Sequence, residues 1–386
     1  MQRPSLDTIA IHAGQAPDPL HGAVMPPIVL STTFAQDAPG KPKRYEYSRS
    51  GNPTREALEQ CLAALEGGRF GFAFASGSAA ALVLLQTLSP GDHVLANDDV
   101  YGGTFRLLDK VLRPLGITTT FTDLRDPSHF DAAVTATTRL VWVETPSNPL
   151  LKLLDLRALG ERAAARGIAL VVDNTFATPV LQRPLELGAH VVLHSTTKYI
   201  NGHSDVVGGA LVTNDERLGE RLRFLQNAIG AVPSPMDCYL VLRGIKTLPL
   251  RMRQHVASAA ELARRLAHHS QVKRVLYPGL PDHPEHVLCL RQMSGPGGMI
   301  SLELSGGMDE AERFLRALRV FALAESLGGV ESLAEQPALM THASIPADVR
   351  RATGITDSLV RLSVGLEGVE DLWDDLEQGL ARSAGA

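Results

Sequence analysis

Between residues 70 and 212, short and almost uninterrupted apolar runs alternate with helical segments, and this alternation restricts the fold more than any other feature. Phe70–Ala75, His93–Asn97, Ile117–Phe121, Leu140–Val143, Ala169–Val172, Val191–His194 and Gly208–Val212 read as strands. Segments near 78–88, 103–115, 155–166 and 179–187 read as helices between them. Strands apolar throughout must be covered on both faces, and crossover helices connect parallel neighbours. The expected fold class is α/β: a large domain whose mostly parallel, seven-stranded sheet is covered by helices.

The rest of the chain departs from that pattern on both sides. Residues 1–47 hold no period and are broken by Pro17, Pro19, Gly22, Pro26, Pro27, Pro39, Gly40 and Pro42, yet Ile28, Val29, Leu30 and Phe34 need burial. They read as an extended N-terminal arm that packs elsewhere in the structure or on a neighbouring subunit. A helix starts after Asn52-Pro53-Thr54, carries Leu58, Leu62 and Leu65, and stops at Gly67-Gly68. Residues 214–268 are helical, with Leu218, Leu222 and Leu225 in phase and Pro233, Pro235 and Pro249 as breaks. Strands Met299–Leu304, Val320–Ala324 and Leu359–Val364 then mix with helices near 308–317 and 369–382. This predicts an arm over 1–47, a large domain over 48–248 and a smaller α+β domain over 249–386. A length of 386 residues fits two domains at roughly 150 residues each.

A net charge of -5 speaks against general binding to nucleic acid or anionic membrane. No run approaches the ~18 apolar residues of a membrane span, and MQRPSLDTIA lacks the apolar core of a signal peptide. Cys61, Cys238 and Cys289 offer neither zinc spacing nor a disulfide framework. A cytoplasmic protein is expected. His283-Pro284-Glu285-His286 reads as a polar loop rather than a metal site, because Pro284 disfavours a helix interior. His203, Ser204 and Asp205 are sequence neighbours, whereas a hydrolytic triad assembles across a fold.

Open parallel sheets bind ligands beyond the carboxyl ends of their strands. Ser76-Gly77-Ser78 opens a helix after the first strand, as a phosphate site or as a plain glycine turn with a serine cap. Asp173, ahead of Asn174-Thr175, ends a buried strand and needs a metal, a helix to cap or a protonated nitrogen. Ser195-Thr196-Thr197-Lys198 ends another. Its lysine either caps a surface turn or is a desolvated amine able to form a Schiff base beside a phosphate. Glu144-Thr145-Pro146-Ser147-Asn148-Pro149 is a stiff loop presenting Asn148. Together these ends suit one cofactor with a phosphate, an aldehyde and a ring nitrogen, which is pyridoxal phosphate. Tyr101 follows a strand closely enough to stack on its ring.

The segments YEYSRSGNPTR (45–55), FASGSAA (74–80), DDVYGGT (98–104), ETPSNP (144–149), VVDNTF (171–176), HSTTKYINGHSDVVGG (194–209), AESLGGVESLAEQPALMTHAS (324–344) and RLSVGLE (361–367) carry a resemblance. Over nearly its whole length the chain resembles the Cys/Met-metabolism family of pyridoxal-phosphate enzymes, which share the aspartate aminotransferase-like, type I fold. The resemblance implies that Lys198 binds the aldehyde and that Asp173 pairs with the ring nitrogen. Gly77, Ser78, Ser195 and Thr197 hold the phosphate, Tyr101 stacks on the ring, and Thr175 stands with them. Tyr47 and Arg49 reach the phosphate of a neighbouring subunit, which accounts for the arm. Arg361, Ser326 and Asn148 hold the substrate carboxylate; Arg106 and Glu325 lie near its distal end, and Asn227 and Thr341 are further candidates. Residues 224–248 and 277–286, with Glu325, resemble the branch that cleaves cystathionine at Cγ to give cysteine, 2-oxobutanoate and ammonia. Related branches that join an activated homoserine ester to cysteine, eliminate at Cβ or act on methionine share most of these motifs. A scaffold without activity is the non-enzymatic alternative. A small amino-acid substrate and a homotetramer of two active dimers, with sites shared across subunits, are implied.

Overall fold

The computed structural model describes residues 4–343 and 345–383; Ser344, the last residue of the 324–344 segment, lies outside them. Helix α1 (Leu6–His12) stands in the arm that the sequence leaves irregular. Seven residues with one buried position, Ala10, are too few to show a period. The helix is instead fixed at its start, where Ser5 accepts a hydrogen bond from Thr8 N and Asp7 sits in the first turn. The arm continues through a short hairpin, β1 (Gln36–Ala38) and β2 (Lys41–Pro42). In α2 (Pro53–Glu66), Asn52 caps the N–H groups of Thr54 and Arg55, and Gly67 closes the helix at φ 73°, a conformation that favours glycine.

The large sheet contains β3 (Phe70–Phe74), β4 (His93–Asn97), β5 (Thr118–Thr122), β6 (Thr138–Glu144), β7 (Ala169–Asp173), β8 (Val191–His194) and β9 (Gly209–Thr213). Their order is β3-β9-β8-β7-β6-β4-β5, and only β9 runs against its neighbours. The other six strands therefore end along one edge. Phe72, Phe74, Trp142, Val171 and Leu193 pack on α3 (Gly77–Leu85) on one face. Elsewhere Val141, Val143, Leu170 and Val172 pack with Leu156 and Leu159 of the helix Leu156–Ala164. The helix expected near 103–115 is split into α4 (Gly102–Arg106), a wider π turn at Leu107–Leu112 and a 3₁₀ turn containing Pro114. Near 179–187 there is only the short helix Thr178–Leu181 and a 3₁₀ turn that starts at Pro184, whose missing N–H cannot continue a helix.

Prolines mark the helical stretch as its sequence suggests. Pro235 opens one helix (Pro235–Ile245), and Pro249 lies in the first turn of the next (Leu248–Leu266). That long helix puts Leu248 and Met252 into the core with Ala10, and Leu262 and Leu266 into the core of the second sheet. The second sheet has five strands, with Met299–Leu304 pairing antiparallel to Leu359–Ser363, which pairs in turn with Leu333–Glu335. The expected strand Val320–Ala324 shrinks to Ala322–Leu323. The reason is Asp375: its carboxylate takes the N–H groups of Arg319, Val320 and Phe321, which are then lost to any ladder. Among the described residues no helix is long and apolar enough to cross a membrane.

Candidate active site

The shared strand edge opens into a cavity of about 400 Å³ between the two sheets. At one end Ser76 caps α3 by accepting from Ala79 N at 3.0 Å, leaving the first N–H groups of the helix beside Gly77 and Ser78. A Cβ on Gly77 would lie 3.0 Å from Ser195 Cβ, so two loops meet there closely because the side chain is missing. Thr197 Oγ1 accepts from Gly208 N at 2.9 Å, which pins the loop leading to Lys198. Ser195 and Thr197 line the same end.

Asp173, at the end of β7, receives Thr175 N at 3.0 Å and Thr175 Oγ1 at 2.5 Å, both on Oδ1. Burial raises the pKa of this carboxyl, against those two hydrogen bonds. Glu144 lies beside it in register on β6. Burial and the charge of Asp173 hold the Glu144 carboxyl well above its ordinary range. Glu144 accepts from Tyr101 N at 2.8 Å and Thr104 Oγ1 at 3.0 Å, and so fixes the start of α4. The Tyr101 ring leans over the cavity above Gly103, where a Cβ would come within 2.3 Å of Tyr101 Cε1.

Lys198 Nζ donates to Ser326 Oγ at 2.8 Å. Burial, helped by the Arg361 guanidinium, pushes its pKa down to about 8. Ser326 adopts φ 91°, a strained conformation for a residue with a side chain, and its carbonyl accepts from Arg361 Nη2 at 2.8 Å. Arg361 Nη1 donates to Asn148 Oδ1 at 2.7 Å and lies 2.9 Å from Glu335 Oε1, a carboxylate directly opposite on the next strand. Arg361 Nε has no hydrogen-bond partner. Glu325 and Thr341 complete the wall.

The cavity thus gathers Lys198, Asp173, Tyr101, Gly77, Ser78, Ser195, Thr197, Thr175, Arg361, Ser326, Asn148, Glu325 and Thr341. Four other candidates do not line it. Arg49 Nη1 donates to the Asn227 carbonyl at 2.8 Å and its guanidinium lies 5.5 Å from the Tyr47 ring centre, so these three form a separate cluster. Arg106 ends α4; burial raises the Tyr101 pKa, and the Arg106 charge works against that rise. Glu144 and Glu335 belong to the site without having been singled out, and Gly103, within the DDVYGGT segment, lines it too. Glu144 could have been suspected as a carboxylate at a strand end; the pairing of Glu335 with Arg361 has no local signal.

The residues present fit pyridoxal phosphate. A glycine-tight cradle at a helix start suits a phosphate, and Asp173 uses one oxygen on Thr175, leaving Oδ2 for a ring nitrogen. An amine with a pKa of about 8 suits condensation with an aldehyde.

Comparison with known proteins agrees. The chain is 55% identical over 377 residues to the cystathionine beta-lyase of Coxiella burnetii, covering 97% of each chain. It is 56% identical over 375 residues to the cystathionine gamma-synthase of Mycobacterium tuberculosis, covering 97% of this chain and 96% of that one. The crystal structure of cystathionine gamma-lyase from Lactobacillus plantarum, complexed with L-serine, superposes with a TM-score of 0.97 at 48% identity, covering 99% of this chain and 100% of that one. These relatives differ in reaction and share one scaffold. Residues 7–381 match the pattern of the Cys/Met metabolism PLP-dependent enzymes, and the chain belongs to that family.

Proposed function

We propose that this enzyme cleaves L-cystathionine by γ-elimination, releasing L-cysteine, 2-oxobutanoate and ammonia with the uptake of one water. The observation that carries this reading is the placement of the Lys198 amine. It is hydrogen-bonded to Ser326, whose carbonyl is held by Arg361, and it is neutral in a large fraction near pH 8.

Bound pyridoxal phosphate supplies an aldehyde for amines and a ring that absorbs the electron pair left at the substrate's Cα. Asp173 would hold the proton on the ring nitrogen, Ser78, Ser195 and Thr197 the phosphate, and Tyr101 one ring face. Arg361, steadied by Asn148 and Glu335, orients the substrate carboxylate with its planar fork. The Lys198 amine, one serine away from that anchor, would take the Cα proton, hand it on to the bound cofactor and, neutral again, take a Cβ proton. Tyr101, a neutral phenol because burial raises its pKa, or the Lys198 ammonium gives a proton to the departing sulfur. Glu325 faces the distal ammonium of cystathionine.

Tyr47 and Arg49, at the end of an arm that also exposes Leu20, Val24 and Leu30, cluster away from this cavity with Asn227 of the helix Glu216–Ile229. That supports their service to a neighbouring subunit's phosphate, in a homotetramer of two active dimers. Three buried free thiols, Cys61, Cys238 and Cys289, suit a reducing cytoplasm. Product analysis on L-cystathionine tests the reaction. Cysteine with 2-oxobutanoate supports it; homocysteine with pyruvate means elimination at Cβ. No product from cystathionine, with cystathionine formed instead from an activated homoserine ester and cysteine, means the synthase.

A further inference from the structure

We propose that Glu66, on the side of the large sheet away from the cavity, is a positioning residue for the cofactor. It clamps the ends of β7 and β8 so that Asp173 and Ser195 keep one spacing. The proposal rests on the reading that Asp173 meets the ring nitrogen and Ser195 the phosphate.

Glu66 is the last residue of α2 and only 1% exposed. Its Oε1 accepts from Asn174 Nδ2 at 2.9 Å and lies 2.6 Å from His194 Nε2. Asn174 directly follows Asp173, and His194 directly precedes Ser195. Leu193 lines the cavity, so strand alternation turns His194 to the opposite face, towards α2. One oxygen therefore ties together the two residues next to the cofactor-facing pair. Asn174 N also donates to Leu193 O at 2.9 Å in the ladder; Glu66 Oε2 and His194 Nδ1 have no hydrogen-bond partners, so the side-chain link between these strand ends on this side rests on Oε1.

The cavity side carries a matching tie. Thr175 Oγ1 accepts from Ser195 N at 2.9 Å and donates to Asp173 Oδ1 at 2.5 Å. The two strand ends are thus held in front by a hydroxyl and behind by a carboxylate. The rear tie extends further, because Asn174 Oδ1 accepts from Gln182 Nε2 at 3.0 Å and the same amide donates to Thr145 O at 2.9 Å. That reaches the loop presenting Asn148. The charge of His194 also favours the ionised form of Asp173, against burial.

The test compares Glu66→Ala, Asp173→Asn and the double variant as holoenzymes, by cofactor dissociation constant, visible absorption maximum and Tm. In Glu66→Ala the dissociation constant should rise about tenfold, the size of one lost buried charged hydrogen bond. Its absorption maximum should move in the direction that Asp173→Asn moves it. In the Asp173→Asn background, Glu66→Ala should add no further shift. A merely structural Glu66 would lower Tm while leaving the dissociation constant and the maximum at their wild-type values, and that result overturns the proposal. If Asp173→Asn itself changes neither, the reading of Asp173 is wrong and the proposal goes with it. Should Glu66→Ala fail to fold, Glu66→Gln carries the test. It keeps an acceptor for Asn174 and removes the charge facing His194, so a smaller shift of the same sign is expected, and wild-type values overturn the idea.

Discussion

Replacing Lys198 with Met should abolish turnover and at the same time stabilise the cofactor-free protein. Burial and the neighbouring Arg361 guanidinium lower the pKa of this amine from 10.5 to about 8. A lowered amine pKa means that the folded state holds the proton less tightly than the unfolded chain does. Lys198 therefore costs stability in full below pH 8, and the cost fades as pH rises from 8 towards 10.5. That drop corresponds to about 3 kcal/mol. The hydrogen bond from Nζ to Ser326 Oγ, at 2.8 Å, returns about 1 kcal/mol. Met keeps the apolar stem and never carries the charge, so about 2 kcal/mol remains in its favour at pH 7. For 386 residues the unfolding entropy is about 0.8 kcal/mol/K, which makes the expected rise in Tm about 2–3 °C. Scanning calorimetry of both proteins, stripped of cofactor, at pH 7 and pH 9.5 measures this, and the gap should narrow at the higher pH. A variant less stable than wild type at pH 7, or a gap that does not narrow, would refute the reasoning.

Three further outcomes follow from the geometry. Gly103→Ala puts a methyl 2.3 Å from Tyr101 Cε1, so the ring must swing by about an ångström and kcat/KM for cystathionine should fall roughly 10²-fold. Alanine is the better helix former by about 1 kcal/mol, so Tm should hold or rise; full activity would show that ring placement does not matter. Arg361→Lys loses the fork that spans Asn148 and Ser326, and KM should rise about 10- to 100-fold with the cofactor's absorption retained. An unchanged KM in steady-state assays would remove Arg361 from carboxylate binding. Asp375→Ala orphans the N–H groups of Arg319, Val320 and Phe321, at a cost of about 3–5 kcal/mol, and Tm should drop by about 4–6 °C while kcat/KM stays near wild type.

What could be read from the sequence is what depends on neighbours along the chain. The inner strands of the large sheet announce themselves because burial on both faces makes them nearly continuous apolar runs, unlike the threonine-rich edge strand β5. Once they are parallel, their ends must converge, so Asp173, Lys198 and the Ser76-Gly77-Ser78 turn could be joined into one site before any coordinates. Helix α1 escaped because seven residues with one buried position carry no period. The strand at 320–324 is shorter than its apolar residues suggest because the N–H groups at 319–321 go to Asp375, some 55 residues away. The same distinction separates the groups that do chemistry from the groups that tune them. Glu335 meets Arg361 only through the register of the second sheet. Glu144 meets Asp173 through that of the first. Glu66 reaches His194 across 128 residues, through the docking of α2 behind the strands. Apart from the strand-end position of Glu144, these carboxylates are ordinary in their local sequence and acquire a role from burial and pairing. A lysine at a strand end could be suspected from its place in the chain, but the lowering of its pKa to about 8 comes from its burial in the assembled fold and, after that, from an arginine 163 positions later in that chain.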